Sequence, residues 1–182
     1  MEEAVYVSCL DDLVHAHAPR FSRLYYGNDV CHHLLPTRDE LAFVRAHAQS
    51  LGLAFTLVTP MLTEHGMDDV ESLLSELQDG DEVVCNDIGL LARLRDDPYE
   101  AVVGRQLIKG TRDPRVRADD LRRAGVREAL SASAASDAVN LSWFRELGAS
   151  RLELEGRTAG WDLRLEDPWR TSLHHPFALL AT

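Results

Sequence analysis

The strongest constraint on this chain is an alternation of texture along its length. Short runs rich in β-branched and aromatic residues are separated by stretches whose apolar residues recur at helical spacing. Residues 4–9 (AVYVSC) read as a strand and 11–17 as a short helix. Residues 23–26 (RLYY) read as a second strand, stopped by Gly27-Asn28. Thr37 followed three residues later by Glu40 has the form of a capping box, and the helix it opens runs to about Ser50, before Gly52. Residues 53–59 form a strand closed by Pro60, and 67–77 a helix with Val70, Leu73, Leu74 and Leu77 on one face. Strands follow at 82–85, from 101 and at 151–154, with a short one at 129–132. Helices are expected at 88–95, 119–124 and 137–147.

Strands alternating with helices in units of about thirty residues imply βα units and a largely parallel sheet. About five or six strands are too few for a closed eight-stranded barrel, which takes about 250 residues. The expected fold is therefore one α/β domain over 1–182, a partial or distorted TIM-barrel-like (β/α) unit with mostly parallel strands. Residues 156–182 are expected to be an irregular C-terminal segment. An open α/β sheet also fits this order.

Composition removes several classes. The 182 residues are 45% hydrophobic and 27% charged, a globular mixture. No apolar run approaches the ~20 residues that span a bilayer, and the start, Met1-Glu2-Glu3, lacks a basic-then-apolar leader pattern. A cytoplasmic protein away from membranes is expected. The formal net charge is −11, so the surface repels phosphate backbones and nucleic acid is not an expected partner. Cys9, Cys31 and Cys85 form no CxxC pair and read as free thiols. The phosphate loop, the dinucleotide fingerprint and the Gly-x-Ser-x-Gly elbow are all missing.

In parallel α/β folds ligands bind where strands end. That rule singles out three loops. Asn28 and Asp29 follow the second strand, and just beyond them Cys31, His32 and His33 are candidate metal ligands, with Cys85 as a further one from a neighbouring strand end. The competing reading is a loop with a buried cysteine and surface histidines. Asn86 and Asp87 sit at a strand-to-helix junction, where Asp87 either caps the next helix or serves as a base, with Asn86 orienting substrate. The stretch 104–117 (GRQLIKGTRDPRVR) gathers Arg105, Lys109, Arg112, Arg115 and Arg117 in an acidic protein. Arginine forks suit carboxylates and phosphates, although the protein's own carboxylates are equally natural partners for such a loop.

Several separate segments carry a family resemblance. They are Tyr25-Tyr26-Gly27; the capped helix from Thr37 with Ala46-His47 and Gly52; Thr59-Pro60; Val83-Val84-Cys85-Asn86-Asp87-Ile88-Gly89; and Gly104-Arg105-Gln106-Leu107 with Lys109 and Arg112-Asp113-Pro114-Arg115. Phe144 to Ala149 and Arg151 to Leu154 complete the order. This order resembles the U32 peptidase family, most nearly its branch with N-D-x-G and G-R-x-L-x-K-x-x-R-D-P-R patterns, over most of residues 20–180. The resemblance implies a TIM-barrel-like domain. It also implies kinship with iron–sulfur proteins of oxygen-independent hydroxylation, whose cluster is held by four cysteines. This chain has three cysteines and none after Cys85, so the family's iron–sulfur cluster is not expected and the cofactor stays open.

The expectation is a U32-like protein of a biosynthetic or modification pathway, binding a small anionic or carbonyl-bearing molecule at the strand ends. Asp87 and Asn86 would act on it, and Arg105, Lys109, Arg112 and Asn28 would hold it. The alternative is a non-catalytic partner subunit, a homodimer or a heterodimer with a U32-like relative, using Trp161, Trp169 and the apolar C-terminal run as interface.

Overall fold

The computed structural model describes residues 2–108, 110, 119–123, 125–157, 160–163 and 169–175. Seven strands make one sheet: β1 (Ala4–Val7), β2 (Arg23–Gly27), β3 (Ala54–Val58), β4 (Glu82–Cys85), β5 (Glu100–Val103), β6 (Ala149–Glu155) and β7 (Arg170–His174). Each strand pairs with the one before it in sequence, and every pairing is parallel. Among the described residues five α-helices lie between them: α1 (Arg38–Ser50), α2 (Glu64–Leu74), α3 (Ile88–Arg93), α4 (Val126–Ser131) and α5 (Ala138–Glu146).

A strictly sequential parallel order has a physical consequence. Every crossover must turn the same right-handed way, so all the helices fall on one face of the sheet. The other face can be covered only if the sheet curls over it. Strands lie about 4.8 Å apart, so β1 and β7 would be separated by roughly 29 Å in a flat sheet. Instead the rings of Tyr6 on β1 and His174 on β7 approach to 6.4 Å between centroids. The result is a half-barrel flanked by helices, open between β1 and β7, as expected for a partial TIM-barrel-like domain. An open depression of about 580 Å³ runs along the outside of the β1 edge, beside Val14, His15 and Phe21.

The convex face is an ordinary apolar core. Leu24, Tyr26, Phe55, Leu57, Val83, Cys85, Val103, Leu152 and Leu154 point outward from the strands. They meet Leu41, Val44 and Ala48 of α1, Val70 and Leu73 of α2, Leu90 and Leu91 of α3, and Leu141 and Phe144 of α5. Full burial of each such side chain contributes on the order of 1.5–3 kcal/mol. The ends of the helices follow local chemistry. Thr37 and Glu40 form the expected capping box on α1, and Thr63 caps α2 by accepting from the Gly66 amide at 3.2 Å.

Several details depart from the sequence reading. The helix expected at 119–124 is a 3-10 turn over Asp120–Arg122, and that expected at 67–77 runs over Glu64–Leu74. The first expected helix is a 3-10 turn over Leu10–His17. The strand expected at 129–132 is the end of α4, because Gly125 (φ +77°) turns the chain and Glu128, Ala129 and Leu130 are strong helix formers. The segment 156–182 is not wholly irregular, since β7 lies within it. Seven strands therefore replace five or six; β7 escaped notice because Arg-Thr-Ser-Leu-His has little apolar content. No described helix is long and apolar enough to cross a membrane.

Candidate functional site

Side chains alternate across a strand, so the residues between the convex ones face the hollow. They are largely polar. In β6 the sequence Arg151-Leu152-Glu153-Leu154-Glu155 sends both leucines to the helices and Arg151, Glu153 and Glu155 inward, all buried. Strands of a parallel sheet usually carry apolar residues on both faces. Here three valines, Val58, Val84 and Val102, form an apolar wall with Tyr25 on one side of the hollow. The remainder is a chain of hydrogen-bonded and ionic groups.

At the lower end Glu82 is 1% exposed and sits among Arg23, Arg151 and Thr56. Arg23 Nη1 lies 2.9 Å from a Glu82 oxygen, and the Thr56 hydroxyl donates to that oxygen at 3.0 Å. Arg151 donates to Glu82 and, at 2.8 Å, to the Tyr25 hydroxyl. Burial pushes the Glu82 carboxyl above its ordinary range, even though Arg151, Arg23 and Thr56 pull it the other way. Burial likewise drives the Tyr25 phenol upward, with the Glu153 charge adding to it, so this hydroxyl stays neutral.

Toward the strand ends, Glu153 is 1% exposed and its Oε2 lies 2.6 Å from Nε2 of His174. Arg151 reaches the other Glu153 oxygen at 3.9 Å. The His174 ring is held edge-on by Tyr25 (6.0 Å between centroids) and Tyr6 (6.4 Å). The Tyr6 hydroxyl donates to the Gly27 carbonyl at 3.1 Å. Its pKa is raised by burial and by the nearby Asp29 charge, so it too remains a neutral donor.

The rim above is built from the loops expected to carry chemistry, and they do meet. Asn86 is 1% exposed; its amide donates to the Thr59 carbonyl at 2.7 Å and its oxygen accepts from the Gln106 amide at 2.9 Å. It ties the ends of β3, β4 and β5 together. Gly104 makes room for it, since a Cβ there would stand 2.2 Å from the Asn86 oxygen. Arg105 forms a buried ion pair with Asp29, and Gln106 donates to the Asp29 carbonyl, which joins the β5 loop to the β2 loop. Gly27 (φ +132°) lets β2 enter this junction, where any Cβ would strike the Val58 carbonyl at 2.2 Å.

Positions 28, 86 and 105 thus share one end of the half-barrel, but the Asn28 and Asn86 side chains hold backbone and the Arg105 side chain holds the Asp29 carboxylate. Asn28 accepts from the Val30 and Cys31 amides at 2.9 and 2.8 Å. Asp87 caps α3 by accepting from the Leu90 amide at 3.1 Å and also accepts from the Leu62 amide at 3.3 Å. Lys109 and Arg112 lie outside the described residues, as do Arg115 and Arg117. The candidate metal ligands do not converge. Cys85 is buried on the convex side, where burial pushes its thiol far up. Cys31 is half-buried in a loop, and the His32 and His33 rings lie against each other at 3.9 Å between centroids, tilted by 40°. Among the described residues no group of three or more His, Cys, Asp or Glu is placed to hold a metal ion.

Sequence reasoning missed Tyr6, Glu82, Glu153 and His174. The signal for Glu153 was present in the strict charge–leucine alternation of β6, which places acids where a parallel strand has no apolar use for them. The chemical resources of the hollow are a carboxylate–imidazole pair, two neutral phenols, a buried arginine network and one apolar wall. Compared with known family models, curated proteins and solved structures, the chain matches none of them.

Proposed function

We propose that this is a U32-like α/β protein that binds a small anionic or carbonyl-bearing molecule in the mouth of the half-barrel and acts in a biosynthetic or modification pathway. The observation that carries this reading is the polar lining of the concave face. Burying Glu82, Glu153 and Arg151 costs several kcal/mol per ion after relaxation, and an apolar filling would stabilise the fold at least as well. A hollow with one apolar wall and a few converging polar groups is the usual form of a small-molecule site. Arg105 at the rim supplies the positive charge for a carboxylate or carbonyl oxygen, with Asp29 as its resting partner. Asn86 and Asp87 contribute by fixing the rim.

The test is a titration of the whole chain with pyruvate, acetate and inorganic phosphate, followed by amide NMR. Shifts are expected at Gly27, Asn28, Gly104 and Gln106. Arg105→Lys should weaken pyruvate binding about tenfold, equivalent to about 1.4 kcal/mol. Shifts confined to other parts of the molecule, or an unchanged affinity in the variant, would defeat the reading. A partner-subunit role draws on a different observation: Leu173 on edge strand β7 is 64% exposed, and unpaired sheet edges recruit other chains.

A further inference from the structure

The pairing of His174 with Glu153 asks for an explanation that structural support does not supply. A histidine placed only to neutralise Glu153 would be as buried as its partner. Instead the His174 side chain is 16% exposed while the Glu153 side chain is 1% exposed. The ring therefore reaches solvent while the carboxylate it meets does not. Among the described residues its hydrogen bond is made at Nε2. A carboxylate acceptor at that nitrogen selects the tautomer with the proton on Nε2, which puts the ring's lone pair on Nδ1. The groups facing the ring from the surrounding strands are Tyr6 of β1, Tyr25 of β2, and Arg151 and Glu153 of β6. Both phenols have raised pKa values, Tyr25 through burial and Tyr6, although 37% exposed, through partial desolvation and the Asp29 charge, so neither competes with the imidazole as a base. Asp29 and Arg105, the rim pair, stand near Tyr6.

We propose that His174 and Glu153 form a proton-transfer pair, with His174 Nδ1 as the base toward an enolisable carbonyl compound in the mouth. This rests on the binding site proposed above and names the chemistry of that site. A C–H bond next to the carbonyl breaks, its electron pair remains on the compound as the enolate, and the proton moves to Nδ1. The resulting imidazolium is stabilised by the Glu153 carboxylate, which orients the ring and keeps its own charge. Return of a proton from Nδ1 to carbon completes the cycle, so no oxidant or further reactant is needed. Glu153 is a positioning residue in this scheme.

Two measurements on the full chain test it. Nitrogen-15 NMR of the histidine rings should find His174 as the Nε2–H tautomer in the neutral form, and Glu153→Gln should mix the tautomers. Pyruvate in D₂O with the protein should lose its methyl proton signal faster than in buffer. His174→Gln should slow that exchange at least tenfold, Glu153→Gln less, and His175→Gln, at the exposed neighbouring position, not at all. Urea midpoints of the variants confirm that each is folded. If pyruvate binds at the mouth with no His174-dependent exchange, the proton-transfer assignment fails and the binding site stands. If pyruvate does not bind, both fail. A neutral ring carrying its proton on Nδ1 also overturns the assignment.

Discussion

The two faces of the sheet obey different rules. The convex face, with Leu57, Val83, Leu152 and Leu154 under the helices, is built for burial. The concave face of the same strands places Glu82, Arg151 and Glu153 in equal seclusion from water. Adjacent residues in β6 therefore belong to opposite chemistries. The difference teaches that strand formation and sheet order were secured by one face, which freed the other for charged and hydrogen-bonding groups. A fold needs only one such face to reach stability, because stability is a small surplus over conformational entropy.

The comparison is broken most severely at Arg151. Arg151→Met supplies a filler of similar size, and on the convex face such a change would be mild. Here it strips the cation from Glu82 and Glu153, and a loss of about 3–5 kcal/mol is expected in urea unfolding. Leu152→Ala, one residue along on the other face, should cost about 2–5 kcal/mol through cavity formation. The double change Arg151→Met with Glu82→Gln separates the two mechanisms. It should recover a substantial part of the single loss, since the stranded charge at Glu82 is gone. Strict additivity of the two changes would show that the concave charges are not coupled.

A smaller effect sharpens the contrast through pH. Burial raises the Glu82 pKa in the folded state above its unfolded value. The folded state then binds that proton more tightly. The contribution of Glu82 to stability is complete below the unfolded pKa and is lost as pH rises through the folded one. Glu40 and Glu100 behave oppositely. The Thr37 backbone and hydroxyl hydrogen bonds lower the pKa of Glu40, and the Arg170 hydrogen bond lowers that of Glu100. Their contributions hold above the ordinary carboxylate range and fade as pH falls through the folded values. The stability of Glu82→Gln relative to the unaltered chain should therefore rise between pH 4 and pH 8; a flat or falling difference would contradict the burial argument.

The smallest effect separates scaffold from chemistry at the rim. Asp87→Ala should cost about 0.5–2 kcal/mol through loss of the α3 cap, and Asp87→Asn much less. If Asp87 only fixes the rim, the Asn variant retains pyruvate exchange. Loss of exchange at unchanged stability would return Asp87 to the role first expected for it.

Much of the fold was legible because it depends on periodicity and punctuation. The Thr37–Glu40 box, the Glu82 to Cys85 strand and the stop at Gly52 are local signals, and they stand where the sequence placed them. The rim was legible for a topological reason: parallel strands put all their exits at one end. The lining was not, because Tyr6 meets His174 only when the sheet curls, which no local pattern encodes, and His174 stands beside Glu153 only through a strand, β7, whose polar sequence hid it. At Asp87 the chemistry of capping and the chemistry of catalysis ask for the same side chain, so the residue type alone could not decide.

The sequential order of the strands also sets a timetable. On a ribosome each strand can dock beside the one already delivered, so most of the scaffold can assemble while translation continues. His174 arrives on the last strand of the sheet. The nascent protein would hold its shape before the proposed proton-transfer pair was complete, and detachment of β7 would part His174 from Glu153 while leaving six strands of the sheet in place.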